Sequence, residues 1–397
     1  MQEQNPNHPR PLLGAEAFSG SGDPRRFIVN LIGILGFVAI VLASHSQHYS
    51  DFSVFFTAGN LVGSRVIEHL ATVRAWQMNH HLLHGAFVYP FGFAWLYAGC
   101  KLLPIRLADV IMIAVNIVLA ALLSQLLARR FQLQPALALL LTFAWTPVII
   151  TIIYGQTSIL ALLVVLAAWH ALRHNNDFLA GVAIGFLFYK PTYALPFFAW
   201  SCVNQRWKIS LGAVLWLPIW YLLGISATAG DIRWPLAWIQ NLAGYHASDT
   251  HYNQAAFVGL PGILEHMGLP LFVVLPLVTT LFTILIVRTR AQPIEQTFML
   301  TSALIPALTP HALGYDATLT LPALLTACLS TRTLPPRSFF LAYAIGLGWI
   351  FSNVIGFDML SIPIFFTPFA LMRPQGSLPA SSVERAISKG GLHAEHL

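Results

Sequence analysis

The chain has 397 residues, of which 56% are hydrophobic and only 9% charged, with a mean hydropathy of +0.68. A soluble domain is about one quarter charged, so this chain cannot coat a water-facing surface, and the bilayer must be most of its solvent. The net charge of +6 is not arranged as basic patches interleaved with aromatics, which excludes nucleic acid as a partner and leaves the positive charge as a topology signal.

In chain order, residues 1–24 are polar and rich in Pro and Gly, which predicts a disordered cytoplasmic N-terminus. Arg25 and Arg26 then precede the apolar run 27–43. That run is long for a secretory signal core and reads as an uncleaved first span. Residues 44–85 are too polar to span. Phe52, Phe55, Phe56, Ala58 and Leu61 recur there at helical spacing, so a long first outer loop with short amphipathic helices is expected.

Further apolar runs lie near 86–102, 107–128, 135–153, 157–172, 178–203, 209–226, 269–289, 297–310, 313–330, 338–356 and 359–372. At roughly 20 residues per span, these and the first give about twelve transmembrane helices. The expected fold is an all-α polytopic membrane protein, one transmembrane domain over 27–372 with a flexible cytoplasmic tail at 373–397.

With the N-terminus inside and sides alternating, the inner loops hold Arg10, Arg25, Arg26, Lys101, Arg106, Arg206, Lys208, Arg288, Arg290, Arg332, Arg337, Arg373, Arg385 and Lys389. The outer loops hold Arg65, Arg74, Arg129, Arg130, Arg173 and Arg233. The excess inside places both termini in the cytoplasm. Arg129-Arg130 is the discordant pair.

Cys100, Cys202 and Cys328 lie in apolar runs, without CxxC or Cys/His spacing. Neither a disulfide nor a zinc site is expected from them.

Few residues carry chemistry. Asp51 sits just past the first span, among aromatics. A carboxylate at such a boundary can take a proton from a hydroxyl, although a solvated loop acid is the plainer reading. Tyr89-Pro90 opens an apolar run. Tyr154-Gly155-Gln156 is a polar break, offering close backbone approach and an amide. Lys190-Pro191 falls inside the run 178–203. A lysine at that depth is costly unless it is paired or faces a cavity, where it can hold a lipid phosphate. The proline is expected to kink the helix. His251, Tyr252, Asn253 and Gln254, with Trp238, offer rings and amides to sugar hydroxyls. His311 and Tyr315 share a helix face, with Asp316 beside them as a partner for Lys190 or His311.

Taken in order, these motifs resemble glycosyltransferase family 87. They are Asp51-Phe52 after the first span, Tyr89-Pro90, Gly155-Gln156, Leu179-Ala180-Gly181, Lys190-Pro191 with Arg206-Trp207-Lys208, Asn253-Gln254, and Thr309-Pro310-His311. Phe91 and Ala255 depart from the family pattern, which usually has Pro and Ser there. The resemblance implies a GT-C-type fold and a membrane hexosyltransferase, mannosyltransferase-like, that uses a polyprenyl-phosphate sugar; the outer loops hold no Asp-x-Asp pair, so no metal or other cofactor is required. It implies Asp51 as catalytic base, with Lys190, Gln156 and His311 on the donor phosphate. Tyr89, Asn253, Gln254 and Tyr315 would bind substrate. The implied partners are membrane lipids, the lipid-linked donor and a lipid or glycan acceptor. The expected location is the plasma (inner) membrane, with the active site on the outer face. The alternative is a secondary transporter or lipid flippase with Lys190 lining its path.

Overall fold

The computed structural model describes residues 51–82, 85–249, 257–330, 336–347 and 358–372. The expected first span at 27–43, both terminal segments, and Asn253 and Gln254 lie outside the described residues. What is described is helical, apart from one isolated antiparallel bridge between Phe257 and Leu313.

Three helices are long and apolar enough to cross a membrane: Ile105–Phe131, Trp207–Ala227 (bent near Leu215) and Leu271–Thr289. The pair Pro135–Ala144 and Thr146–Ile153 is apolar enough for a fourth but is bent by 67°, as in a broken span or a re-entrant loop. At most a third of each of the three is buried, and Leu107, Val110, Val118 and Phe272 stand exposed on them. Apolar surface on that scale needs lipid around it. The other expected spans are shorter helices, so the described residues do not supply twelve full-length ones.

Two expectations from the apolar runs are corrected. Residues 178–203 do not form one kinked helix. They form Asp177–Phe186, a 3-10 turn Leu187–Tyr189, and a separate helix Pro191–Val203. Proline disfavours helical geometry at the residue before it, and Lys190 sits there at φ −131°, ψ 88°. Pro191 then occupies a helix first turn, where its missing N–H costs nothing. Gly181 and Gly185 let the first half pack on the backbone of Trp207–Val214, where a Cβ would lie 2.1 Å from Ile209 O and 2.5 Å from Ala213 O.

The second correction concerns residues 86–102 and the alternation of sides. This run is not among the helices long enough to cross a membrane. Its ordered part is a 3-10 helix, Phe91–Leu102, lying along the short helix Phe52–Leu61. Phe55 stacks on Tyr97 at 4.7 Å, and Lys101 Nζ donates to Val62 O at 2.8 Å. The Phe52–Leu61 helix is accordingly buried in protein on most sides, instead of resting one apolar face on lipid.

Ion pairs give the same result. Arg130 and Arg173 both reach Glu295, at 2.7 and 3.2 Å, and Arg206 reaches Asp177 at 2.7 Å. Arg130, Arg173 and Glu295 therefore share one face, whereas strict alternation had put the two arginines opposite Arg288 and Arg290. Tight turns lie on this face. Gln132, Asn175 and Gln205 adopt left-handed φ of 52–56° just past their helices, the usual way to stop a helix in one residue. Leaving 86–102 out of the crossings puts Arg129-Arg130 with the inner arginines and moves Lys101 and Arg106 to the outer side.

Candidate active site

The opposite face gathers the predicted residues. Asp51 is the N-cap of Phe52–Leu61, yet its side chain makes no capping hydrogen bond. Aspartate at this position ordinarily caps. Here its carboxylate turns to Gln156, whose Nε2 donates to Asp51 Oδ2 at 2.9 Å. Tyr89 Oη in turn donates to Gln156 Oε1 at 3.2 Å. Asp51 is half-buried, at a helix N-terminus, where negative charge is favoured.

Gly155 makes this chain of contacts possible. It has φ +63°, and a Cβ on it would lie 2.8 Å from Phe52 Cβ. Only glycine combines that conformation with that approach at low cost. The Tyr154-Gly155-Gln156 break is thus a joint between two helices, and it delivers an amide to the carboxylate.

The next two residues continue the joint. Thr157 O accepts from Tyr189 Oη at 3.3 Å, and Ser158 Oγ is 3.0 Å from Tyr193 Oη. Tyr193 Oη also bonds to Asp316 Oδ1. Lys190 Nζ donates to that same oxygen at 2.5 Å and to Tyr193 Oη at 3.0 Å. Asp316 Oδ2 accepts from the Leu313 backbone N–H at 2.9 Å. Residues 156–158 therefore tie the Asp51 group to the Lys190 group.

Lys190 is consequently not a lone cation facing a cavity. Of the two partners open to Asp316, it takes Lys190. The pair is largely buried, with side-chain exposures of 17% and 3%. Tyr315 covers it, its ring 5.2 Å from Lys190 Nζ. Tyr315 is also within electrostatic range of Asp51, Tyr89 and Tyr245.

His311 stands at the edge of this site. Its backbone is left-handed, φ +55°, an uncommon state for a residue with a side chain and one found at functional turns. Its Nε2 lies 2.7 Å from His246 Nδ1. Burial first, and the nearby His246 second, pull the His311 imidazole down to about 4, so it is neutral at ordinary pH. The turn is braced by Val258 N donating to Ala312 O at 2.9 Å. Gly259 passes so close to Pro306 O that a Cβ would sit 2.7 Å away.

Trp238, read as a sugar platform, uses its indole N–H on Val88 O at 3.0 Å and is partly buried. Sequence reasoning missed Tyr193, Ser158, Tyr189, His246 and Glu265 as site members. Tyr193 was within reach at i+3 from Lys190. For His246 and Glu265 no local signal existed, since helix packing alone brings them to His311.

The family model of glycosyltransferase family 87 matches residues 87–310, more than half of the chain. That stretch includes Tyr89, Gln156 and Lys190 and ends one residue before His311. No curated protein and no solved structure matches the chain.

Proposed function

Because the chain belongs to glycosyltransferase family 87, we propose that it moves a hexose, mannose by preference, from a polyprenyl-phosphate donor to a hydroxyl of a lipid or glycan acceptor. The observation that carries this reading is the Asp51–Gln156–Tyr89 chain of hydrogen bonds. It fixes a carboxylate that has been withheld from the capping role its position invites.

Asp51 acts as general base. It takes the proton from the acceptor hydroxyl while that oxygen bonds to the sugar's anomeric carbon. The bond from that carbon to the phosphate oxygen breaks, and the polyprenyl phosphate leaves with the electron pair. One direct displacement inverts the anomeric configuration. Gln156 orients the base, and Tyr89 fixes Gln156, so little geometry is left to find in the transition state. Lys190 meets the donor phosphate, and Asp316 and Tyr193 hold its ammonium in place. Tyr315 and His311 border the same space. Asn253 and Gln254 follow the His246 helix in sequence and belong to the acceptor side of the proposal.

The GT-C-type architecture and a site on the outer face of the inner membrane are part of this reading. It is supported by the arginines gathered on the face away from Asp51, the cytoplasmic face under the positive-inside rule.

The test is transfer by the purified protein from a polyprenyl-phosphate hexose to candidate acceptors, wild type beside Asp51→Asn. Wild type is expected to transfer and the variant to lose at least about 100-fold in rate. Equal activity in the two would remove Asp51 from the mechanism, and no transfer from any such donor would overturn the donor class.

A further inference from the structure

Three ligand-type side chains from separate parts of the chain meet beside the site. His246 belongs to the helix Trp234–Asp249, Glu265 to Leu260–His266, and His311 to the turn after Ile294–Leu308. One potential ligand atom from each lies within 4.8 Å of the other two.

We propose that His246, Glu265 and His311 bind one divalent transition-metal ion of the zinc class, leaving one coordination position open to an oxygen ligand.

The group is incompletely satisfied by protein alone. Glu265 Oε1 is buried and has no hydrogen-bond partner among the described residues. A buried carboxylate oxygen without a donor is unfavourable. Two imidazoles 2.7 Å apart can share only one proton between the facing nitrogens. A cation among the three answers the unpartnered carboxylate oxygen and takes one lone pair from each ring in place of the shared proton.

The donor set selects the metal. Two imidazole nitrogens and one carboxylate form the His₂Glu set that holds zinc with an open fourth position. Magnesium and calcium prefer all-oxygen shells. A tetrahedral ion with bonds of about 2.0–2.1 Å spaces its ligand atoms by about 3.3 Å. The two histidines must therefore part by roughly 0.6 Å from their 2.7 Å contact, and the glutamate must close from no more than 4.8 Å. Side-chain rotation supplies shifts of this size. The rings of Phe257 and Tyr245 pack against His311 at 5.1 and 6.2 Å, and such an apolar wall strengthens ligation. All three ligands are only half-buried, so an ion can enter. It would clamp the ends of the two helices that flank residues 250–256 to the His311 turn.

The experiment needs no sugar donor, so its outcome is separate from that of the transferase reading. Full-length protein, purified in detergent on a tag without histidine, is stripped with a chelator and titrated with Co²⁺. Wild type is expected to show visible d–d bands that saturate at one ion per chain and that Zn²⁺ abolishes. His246→Gln and Glu265→Gln are each expected to weaken Co²⁺ affinity by more than about 100-fold, beyond what loss of an outer-shell contact costs. His80→Gln, on an exposed ring stacked on Trp76, should bind as wild type. Thermal unfolding of the stripped proteins checks that each variant is folded, and Glu265→Gln, close to the native shape, serves if His246→Gln is not. Absence of a saturable band in wild type, or unchanged affinity in a folded ligand variant, overturns the site and marks any bound ion as adventitious.

Discussion

Lys190 Nζ lies 2.5 Å from Asp316 Oδ1, joining a break between two helices to a turn 126 residues further along the chain. Neither charge is tolerable alone at this burial. Asp316→Ala strands the ammonium and is expected to cost on the order of 3–5 kcal/mol. Adding Lys190→Met should recover roughly half of that loss, because the two effects are coupled. Thermal unfolding of the single and double variants in detergent reads this directly, and additive losses would show that the two charges do not support each other.

Gln156 holds Asp51 with its amide N–H and accepts from Tyr89 with its carbonyl oxygen. Gln156→Leu keeps the volume and removes both bonds. The transfer rate kcat should fall about 10- to 100-fold, as for a misplaced catalytic group, while KM changes little. Tyr89→Phe should cost less, since Gln156 can still reach Asp51. A rise in KM with kcat intact would make Gln156 a binding residue instead.

The corrected side assignment is open to chemical labelling. In a background with Cys100, Cys202 and Cys328 replaced by Ala, single cysteines at Gln132 and Asn175 should react with an impermeant thiol reagent from the same side of sealed vesicles. Cysteines at Met78 and Leu102, both strongly exposed, should react only from the opposite side. Labelling of positions 78 and 132 from the same side would restore 86–102 as a crossing.

Burial raises the Asp358 carboxyl to about 7, and the Leu360 backbone N–H only partly offsets this. The folded chain thus holds a proton that the unfolded chain, near 3.8, releases. Between about pH 4 and 7 the folded state binds more protons, so this group favours folding at low pH and loses that contribution as pH rises. Across that window the thermal midpoint of wild type should fall relative to that of Asp358→Asn. Parallel pH profiles of the two proteins would remove Asp358 as the cause.

The membrane class was legible because composition is a bulk property, with 9% charge against 56% apolar residues. The joint at Gly155-Gln156 was legible because a glycine beside an amide between apolar runs has few other uses. The short outer helix at Phe52–Leu61 was legible from its spacing, though its burial was not. The number of crossings was not legible, because apolarity alone does not tell a span from a segment buried in protein. In the run 86–102, Tyr97 packs against Phe55 and Gly59, while Trp95, Leu96 and Leu102 stand exposed. The side of Arg129-Arg130 depends on that number.

By itself the sequence determined the solvent, the helical class, the breaks at glycine and proline, and which few polar residues stand in apolar surroundings. Those follow from local chemistry: turn conformation, hydrogen-bond capacity and the cost of charge out of water. Only the tertiary structure decided partnership. It gave Lys190 to Asp316, Gln156 to Asp51, Glu295 to two arginines, and His311 to His246 and Glu265. Pairing depends on how helices far apart in the chain pack, and the residue types permit many such pairings while packing selects one.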